Sequence, residues 1–422
     1  MSLSTPPAGF GAPPVAAPAE PEVTATPGLT LKAKRQLIAA YYLVLFPVVA
    51  LTAFGLVMTM SANTVSAISA NQNPYTKGLK QAAFALAGLV VALVLAHLHR
   101  RLWQTVAWAA LIATMVLQAM VVVQGISRGG NQNWLRLGPV EIQPSEAIKF
   151  ALALWLGSVL ALKKEALTRW FDLIVPALIG IAGAMGLVLL GRDAGTALVI
   201  GVLAVGALIL AGVPWSKLAA IGLPLVAGAA LLILTDAGRL ERVRLALNPE
   251  SCTDPLDSCW QITQASYALS EGGWLGTGLG ASRQKWEYLS QADSDFIYAI
   301  IGEEVGLGGT MLVLLLFALL GFGLFRIVRL HPDRFTQITV GAIGCWLMAQ
   351  ALINIGMVIQ VLPVIGVPLP FVSAGGSALV SSLAAIGVVI GLMRLDPEVA
   401  EALRPRSRRS LRLAGVFGGG GR

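Results

Sequence analysis

The sequence predicts an all-α polytopic membrane protein. It has ten transmembrane helices, cytoplasmic N- and C-termini, and a large extracytoplasmic loop between the seventh and eighth spans. Three observations predict this. Of 422 residues, 56% are apolar and only 12% charged, against roughly 25% charged in soluble domains. Ten stretches approach the roughly 20 apolar residues that a crossing helix needs. Finally, Lys and Arg concentrate on alternate sides of those stretches.

Taken in order, the first thirty residues are Pro- and Ala-rich, lack an apolar run and show no cleavable signal, so 1–35 reads as a disordered cytoplasmic tail. A membrane domain over 36–395 follows. Its spans lie near 37–60, 80–98, 103–124, 145–162, 171–190, 194–212, 215–235, 296–326, 338–362 and 374–394. The connection over about 236–295 is the one long loop. RPRSRRSLR and then GVFGGGG close the chain as a basic, Gly-ending cytoplasmic tail over 396–422. With the N-terminus inside, most of the 30 Lys and Arg fall on inner segments, among them Lys32, Arg35, Lys163, Arg326 and the run from Arg394 onward. The net charge of +8 is therefore mostly topological. The basic tail reads as an anchor at anionic lipid, not a nucleic-acid patch. Neither a 20–50-residue repeat nor an inverted pair of broken helices is visible. Three Cys at unrelated spacings make no metal or thioredoxin signature.

The polar residues collect in four outer segments: GGNQNWLRLGPVEIQPSEAIKF (129–150), GRDAGTA (191–197), WQITQASYALSEGGWLGTGLGASRQKWEYLSQADSDF (260–296) and LPVIGVPLPFVSAGGSA (362–378). A site built from them works where no ATP or nucleotide sugar is available, so its expected substrate arrives already activated, carried on a lipid. Each segment also has a plainer reading. Pro144 and Ser145 suit a helix start, Glu146 complements its dipole, and Glu146 and Lys149 can pair three residues apart. Arg192, Asp193 and Thr196 make a polar helix start whose backbone N–H groups would suit an anion such as pyrophosphate. GTGLG lacks a strand–turn–helix context and reads as a flexible re-entrant loop. Pro368 and Pro370 stiffen a turn, and Gly375 and Gly376, between Ser373 and Ser377, allow close backbone approach.

The carboxylates of ADSDFIYAIIGEE are harder to explain as structure. Asp295 sits at the outer mouth of the eighth span, and Glu303 and Glu304 lie about two turns inward. A charge at mid-membrane costs about 2.5–3.5 kcal/mol on insertion scales, and such acids mark functional sites by default. Ion pairing with Lys149 or Arg192 is the structural alternative for Glu303 and Glu304. Cys252 and Cys259 (CTDPLDSC) are a disulfide candidate in oxidising space; Cys345 reads as a small buried apolar residue.

In combination, NWLRLGPVEIQPSEAIK, RDAGTA, WQITQASYALSEGGWLGTGLGASRQKWEYL, DFIYAIIGEEVGLGG and NIGMVIQVLPVIGVPLPFVSAGGS resemble the SEDS family (shape, elongation, division and sporulation). This is the family of FtsW and RodA, and the resemblance runs over roughly 36–395. It implies a ten-helix polymerase that builds peptidoglycan glycan strands from lipid II. Asp295 then corresponds to the catalytic aspartate of the (H/N)(T/S)DF motif. Glu146 and Lys149 match the polar pair of QPSE..K, Gln261 and Gln264 match YQ..QS, and Ser282, Gln284 and Lys285 match S.QK. The sequence departs from those motifs at Trp260, Ala265, Ser290, Gln291 and Asp293, and carries Asn133 where a basic residue is common. PLPFVSAGGS and NIGM look more like the division branch, and the Pro-rich head resembles actinobacterial versions.

The implied reaction is inverting glycosyl transfer at the outer membrane face, with an acceptor 4-hydroxyl attacking a lipid-diphosphate-linked donor and Asp295 as general base. Arg192, Lys285 or Lys149, with or without Mg²⁺ or Mn²⁺, would stabilise the leaving undecaprenyl diphosphate. Glu146, Asp193, Thr196, Gln261, Gln264, Ser282, Glu303, Ser373, Gly375, Gly376 and Ser377 complete the expected substrate-binding set. The implied partners are lipid II, a class B penicillin-binding protein and other division proteins at the septum; no nucleotide or nucleic acid is expected. An elongation-type polymerase or a lipid II flippase is the alternative.

Overall fold

A computed structural model describes residues 31–69, 73–128, 131–138, 140–163, 169–247, 258–286 and 288–394. Of the expected tails, 1–30 and 396–422 fall outside those residues, as does the reading of Cys252 as a disulfide partner of Cys259; residues 31–35, expected in the N-terminal tail, belong to the first helix, Leu31–Ser69.

Hydrophobic length decides the architecture. Among the described residues, eight helical stretches are long and apolar enough to cross a membrane. They are α1 (Leu31–Ser69, apolar over Arg35–Thr64), α2 (Tyr75–Leu95), α3 (Arg100–Gln124), α4 (Pro144–Leu162), the run Trp170–Leu190, α11 (Ile297–Leu330), α12 (Arg334–Val358) and α13 (Gly376–Arg394). The run Trp170–Leu190 comprises α5 (Trp170–Leu173), a π-helical turn (Ile174–Leu178) and α6 (Ile179–Leu190). Two further apolar helices are shorter: α7 (Ala194–Leu210) and the segment Trp215–Leu231 of α8 (Trp215–Leu234). The protein is a polytopic helical membrane protein.

The core is the packing of α4 and α12, both mostly buried and both packed on α7. Gly157 allows that approach, because a Cβ there would lie 1.9 Å from Thr339 Oγ1. Small residues at helix contacts are the usual means of close packing in lipid, where apolar surface alone gives no drive to associate.

Three local features differ from the expectations. First, the connection between α3 and α4 is not purely irregular. Strands β1 (Ile126–Arg128), β2 (Asn131–Leu137) and β3 (Val140–Ile142) form an antiparallel meander, with Ser127 opposite Gln132 and Arg136 opposite Glu141. Gly138, at φ 62°, supplies the positive dihedral at the β2–β3 turn. Gln132 Nε2 donates to the carbonyls of Val122 (3.4 Å) and Gly125 (3.2 Å), acceptors at the end of α3, and adds a second donor (3.0 Å) to Val121 O, which already receives Gly125 N.

Second, the long connection between α8 and α11 contains two helices, α9 (Ala237–Leu247) and α10 (Ser258–Gly272). Third, the Gly-rich loop after α10 is anchored, not loose. Helix α11 opens at Gly306 (φ 75°, ψ −166°), and the loop splices into the gap. Thr277 N and Gly278 N donate to the carbonyls of Glu303 (2.9 Å) and Glu304 (3.0 Å), while Leu307 N donates to Gly273 O (2.9 Å). Backbone groups freed by the break are thus satisfied within protein, as irregular backbone at membrane depth requires. Only glycine fits at 306: its φ is positive, and a Cβ would lie 2.4 Å from Gly276 N.

Candidate active site

Asp295 stands two residues before α11, ahead of its N-cap Phe296, in the turns that lead into that helix. Ser294 N and Phe296 N both donate to Gln291 O at 3.1 Å. Three successive carbonyls are then held from other elements. Asp293 O accepts from Ala374 N (2.8 Å), Ser294 O from Ser373 Oγ (2.6 Å) and Asp295 O from Asn354 Nδ2 (2.8 Å). The carboxylate faces the 362–375 loop, where a Cβ at Gly366 would lie 3.5 Å from Oδ2. On the other flank, Gly195 at the start of α7 packs against Ile365 and Val367.

Burial pushes the Asp295 carboxyl up to about 7, with the like charges of Asp293 and Asp193 adding to the shift. A carboxylate of that kind is poised as a base near neutral pH. Any reaction that needs it ionised should gain rate with pH up to about 7 and fall about tenfold per pH unit well below it. Asp293→Asn removes one of the raising charges, so the acid limb should move to lower pH while the plateau rate changes little. A pH–rate profile of the two proteins checks this, and an unmoved limb would separate Asp293 from the titration.

Asp193 behaves otherwise. It is buried and caps α7, its side chain accepting from Thr196 N (2.9 Å), Thr196 Oγ1 (2.9 Å), Asn133 Nδ2 (3.2 Å) and Gln143 Nε2 (3.3 Å). This corrects the expectation of an anion site here. The Thr196 N–H meets the protein's own carboxylate, and an incoming diphosphate would face a like charge.

Two of the three expected phosphate-facing cations are likewise engaged inside the protein. Lys149 and Glu146 form a buried pair at 2.6 Å, each side chain 1% exposed. Lys149 Nζ also donates to Gln350 Oε1 (2.8 Å) and lies over the Trp346 ring. Lys285 pairs with Glu304 at 2.9 Å, with side chains 2% and 0% exposed, and Ser61 Oγ donates to both Glu304 oxygens. The partner of Glu304 is therefore Lys285, not Lys149 or Arg192. Glu303 is also internal: it accepts from Ser282 Oγ (2.6 Å) and Arg283 N (2.5 Å), fixing the loop that carries Lys285. Arg192, at φ 63° beside Asp193, is the exposed cation of the three.

The remaining expected residues frame the site. Gln261 Nε2 donates to Ser290 Oγ (2.6 Å), and Gln264 is buried on the same helix. Ser373 Oγ receives Leu369 N (2.7 Å) while holding Ser294, and Ser377 Oγ receives Gln143 N (3.3 Å). Gly375 O accepts from Leu379 N (2.9 Å) at the start of α13. Gly376 is a packing glycine, since a Cβ there would lie 2.5 Å from the Phe84 ring.

Asn354 and Gln350 do not belong to the expected set, yet they tie α12 to the site. Their signal in the sequence is two amides four residues apart in an apolar run. Among the described residues, no three His, Cys, Asp or Glu gather as a metal centre. With Asp193 already receiving four donor groups, the described residues do not fit a protein-held Mg²⁺ or Mn²⁺.

The family described as a cell cycle protein, FtsW/RodA/SpoVE, matches residues 42–396. The chain belongs to that family. A SEDS relative named probable peptidoglycan glycosyltransferase FtsW, from Mycobacterium tuberculosis (strain ATCC 25618 / H37Rv), is 34% identical over 373 residues, 87% of this chain and 70% of the relative. The protein of the same name from Halorhodospira halophila is 37% identical, covering 86% of this chain and 92% of the relative. Stage V sporulation protein E of Bacillus subtilis is 34% identical over 82% of this chain and 94% of its own. One similar solved structure was reported as "Structural coordination of polymerization and crosslinking by a peptidoglycan synthase complex". It superposes with a TM-score of 0.67 at 29% identity, covering 84% of this chain and 97% of that one. The rod shape determining protein RodA of Thermus thermophilus follows at 0.62 and 26% identity, over 86% and 98%.

Proposed function

We propose that this SEDS protein is a peptidoglycan glycosyltransferase that polymerises lipid II into glycan strands at the outer face of the cytoplasmic membrane, in septal cell-wall synthesis. The observation that carries this reading is Asp295, a carboxylate held by its backbone at the membrane mouth and titrating near neutrality, in a chain whose relatives are named as peptidoglycan glycosyltransferases.

In the reaction, Asp295 takes the proton of the acceptor 4-hydroxyl as that oxygen attacks the donor's anomeric carbon. The bond from that carbon to the lipid diphosphate breaks, its electron pair leaves with the diphosphate, and the centre inverts. Arg192, exposed where Lys149 and Lys285 are buried in ion pairs, would be the cation that meets the developing charge. Any Mg²⁺ or Mn²⁺ at the site would have to be held chiefly by the substrate's own diphosphate. A class B penicillin-binding protein crosslinks the product as partner. A purified preparation given labelled lipid II, alone and with candidate transpeptidases, should yield glycan polymer. Lipid II translocation across vesicles without polymer would support the flippase instead.

The topology that goes with this reading has ten crossings over 36–395, with α7 and α8 among them and both ends cytoplasmic. In a cysteine-free background, a Cys at exposed Ala237 should react with an impermeant thiol reagent in intact cells, and one at exposed His99 should not. The reverse pattern would place the site on the cytoplasmic side and end the argument for a pre-activated donor.

A further inference from the structure

Asn354 is fully buried in α12, and its one amide spans two segments: Nδ2 donates to Asp295 O at 2.8 Å and to Val367 O at 2.7 Å. The first carbonyl belongs to the residue that carries the base. The second follows Gly366, whose backbone lines that base's carboxylate. Alongside the bonds from Ser373 and Ala374 to the two preceding carbonyls, this side chain therefore ties the Asp295 backbone directly to the part of the loop that faces its carboxylate. The amide is not there for internal satisfaction alone, because Oδ1 is buried without a hydrogen-bond partner. An unsatisfied buried acceptor is destabilising, and an apolar side chain of similar shape would avoid it.

One turn earlier, Gln350 repeats the pattern. Its Nε2 donates to Pro368 O at 2.9 Å, while Oε1 accepts from Lys149 Nζ at 2.8 Å and Trp346 Nε1 at 2.7 Å. The same face of α12 thus ties successive residues of the loop to both the base and the buried Glu146–Lys149 pair. The network is continuous and low in dielectric, where such bonds hold geometry firmly.

We infer that Asn354 is a positioning residue, which holds the Asp295 backbone against the 366–369 loop so that the carboxylate meets the acceptor hydroxyl in line for attack. This rests on the glycosyltransferase reading. Asn354 touches no reacting atom, so its loss should act on turnover and not on substrate affinity. Misplacing a reacting group by about 1 Å can reduce rate by about 10²-fold.

The test uses full-length purified Asn354→Leu, which keeps volume but removes both donors, and Asn354→Ser, which keeps one short donor. Polymerisation of labelled lipid II gives kcat and KM, scaled to folded protein from thermal unfolding. Asn354→Leu should lose about 10- to 100-fold in kcat with KM within about twofold of wild type, and Asn354→Ser should lose less. A kcat per folded molecule within about twofold of wild type, or a loss confined to KM, would overturn the inference. Should Asn354→Leu fail to fold, Asn354→Ser decides by the same criteria. If neither folds, the role is architectural and the inference is wrong. An inactive wild type, by contrast, would remove the glycosyltransferase reading itself.

Discussion

Lys285→Met should destabilise the protein by about 3–5 kcal/mol, the usual penalty for stranding one member of a buried ion pair. Its partner Glu304 is 0% exposed on its side chain and would keep only the Ser61 hydroxyl as a donor. Lys285 Nζ also donates to Gly280 O at 2.7 Å and to Ser61 Oγ of α1 at 3.3 Å, so the substitution loosens the Gly-rich loop internally and from α1, while Glu303 still holds it to α11. Thermal unfolding in detergent should show the loss directly. The double replacement Lys285→Met, Glu304→Leu should recover much of it, because no buried charge then lacks a partner. A Lys285→Met protein with wild-type unfolding and a raised KM for lipid II would return Lys285 to the phosphate-binding role that its motif suggests.

That role shows where sequence reasoning stops. Helices were legible because a crossing needs a certain apolar length, and the long spans stand where that length does. Ends drifted: α12 begins at Arg334, ahead of the apolar run, because Asp333 caps it by accepting from Thr336 N and Oγ1, and capping is something hydropathy does not register. The meander was not legible because Asn131, Gln132 and Asn133 carry no apolar alternation. Its order comes from Gln132 capping α3 and from Gly191 O accepting Gln132 N. The break at Gly306 was hidden for a similar reason. Glycine is common in membrane helices, and its partner loop lies thirty residues upstream.

Within the site, Asp295 was legible because an acid at a membrane mouth demands a reason. Its surroundings were not. Which cation neutralises Glu304, and which side chain holds the Asp295 carbonyl, are contacts between residues 19 and 59 apart in sequence. Polar residues can be picked out from one chain, but their partners depend on tertiary placement. Asp193 makes the same point: a helix start that looks ready for an anion is already filled by its own carboxylate.

Asp295→Asn should leave a folded, membrane-inserted protein that makes almost no glycan polymer. The residue's contact with Asn354 runs through its main-chain carbonyl, which the substitution keeps. Because its pKa in the folded protein is raised to about 7, the ionised side chain is the disfavoured form. The stability contributed by the protonated carboxyl is complete below the usual carboxylate range and is lost as pH rises through about 7. A neutral amide escapes that loss, so at pH 7.5–8 the variant should be no less stable than wild type. Catalysis has no such relief, since an amide cannot take the acceptor proton, and loss of general-base help typically lowers rate about 10²–10⁴-fold.

The most direct measurement is therefore the initial rate of polymer formation from labelled lipid II by wild type and Asp295→Asn, at saturating substrate, with folded fraction and lipid II binding determined in the same preparations. The account predicts equal folding, near-equal binding and a rate lower by about 10²–10⁴-fold. An Asp295→Asn protein that polymerises lipid II at close to the wild-type rate would contradict it.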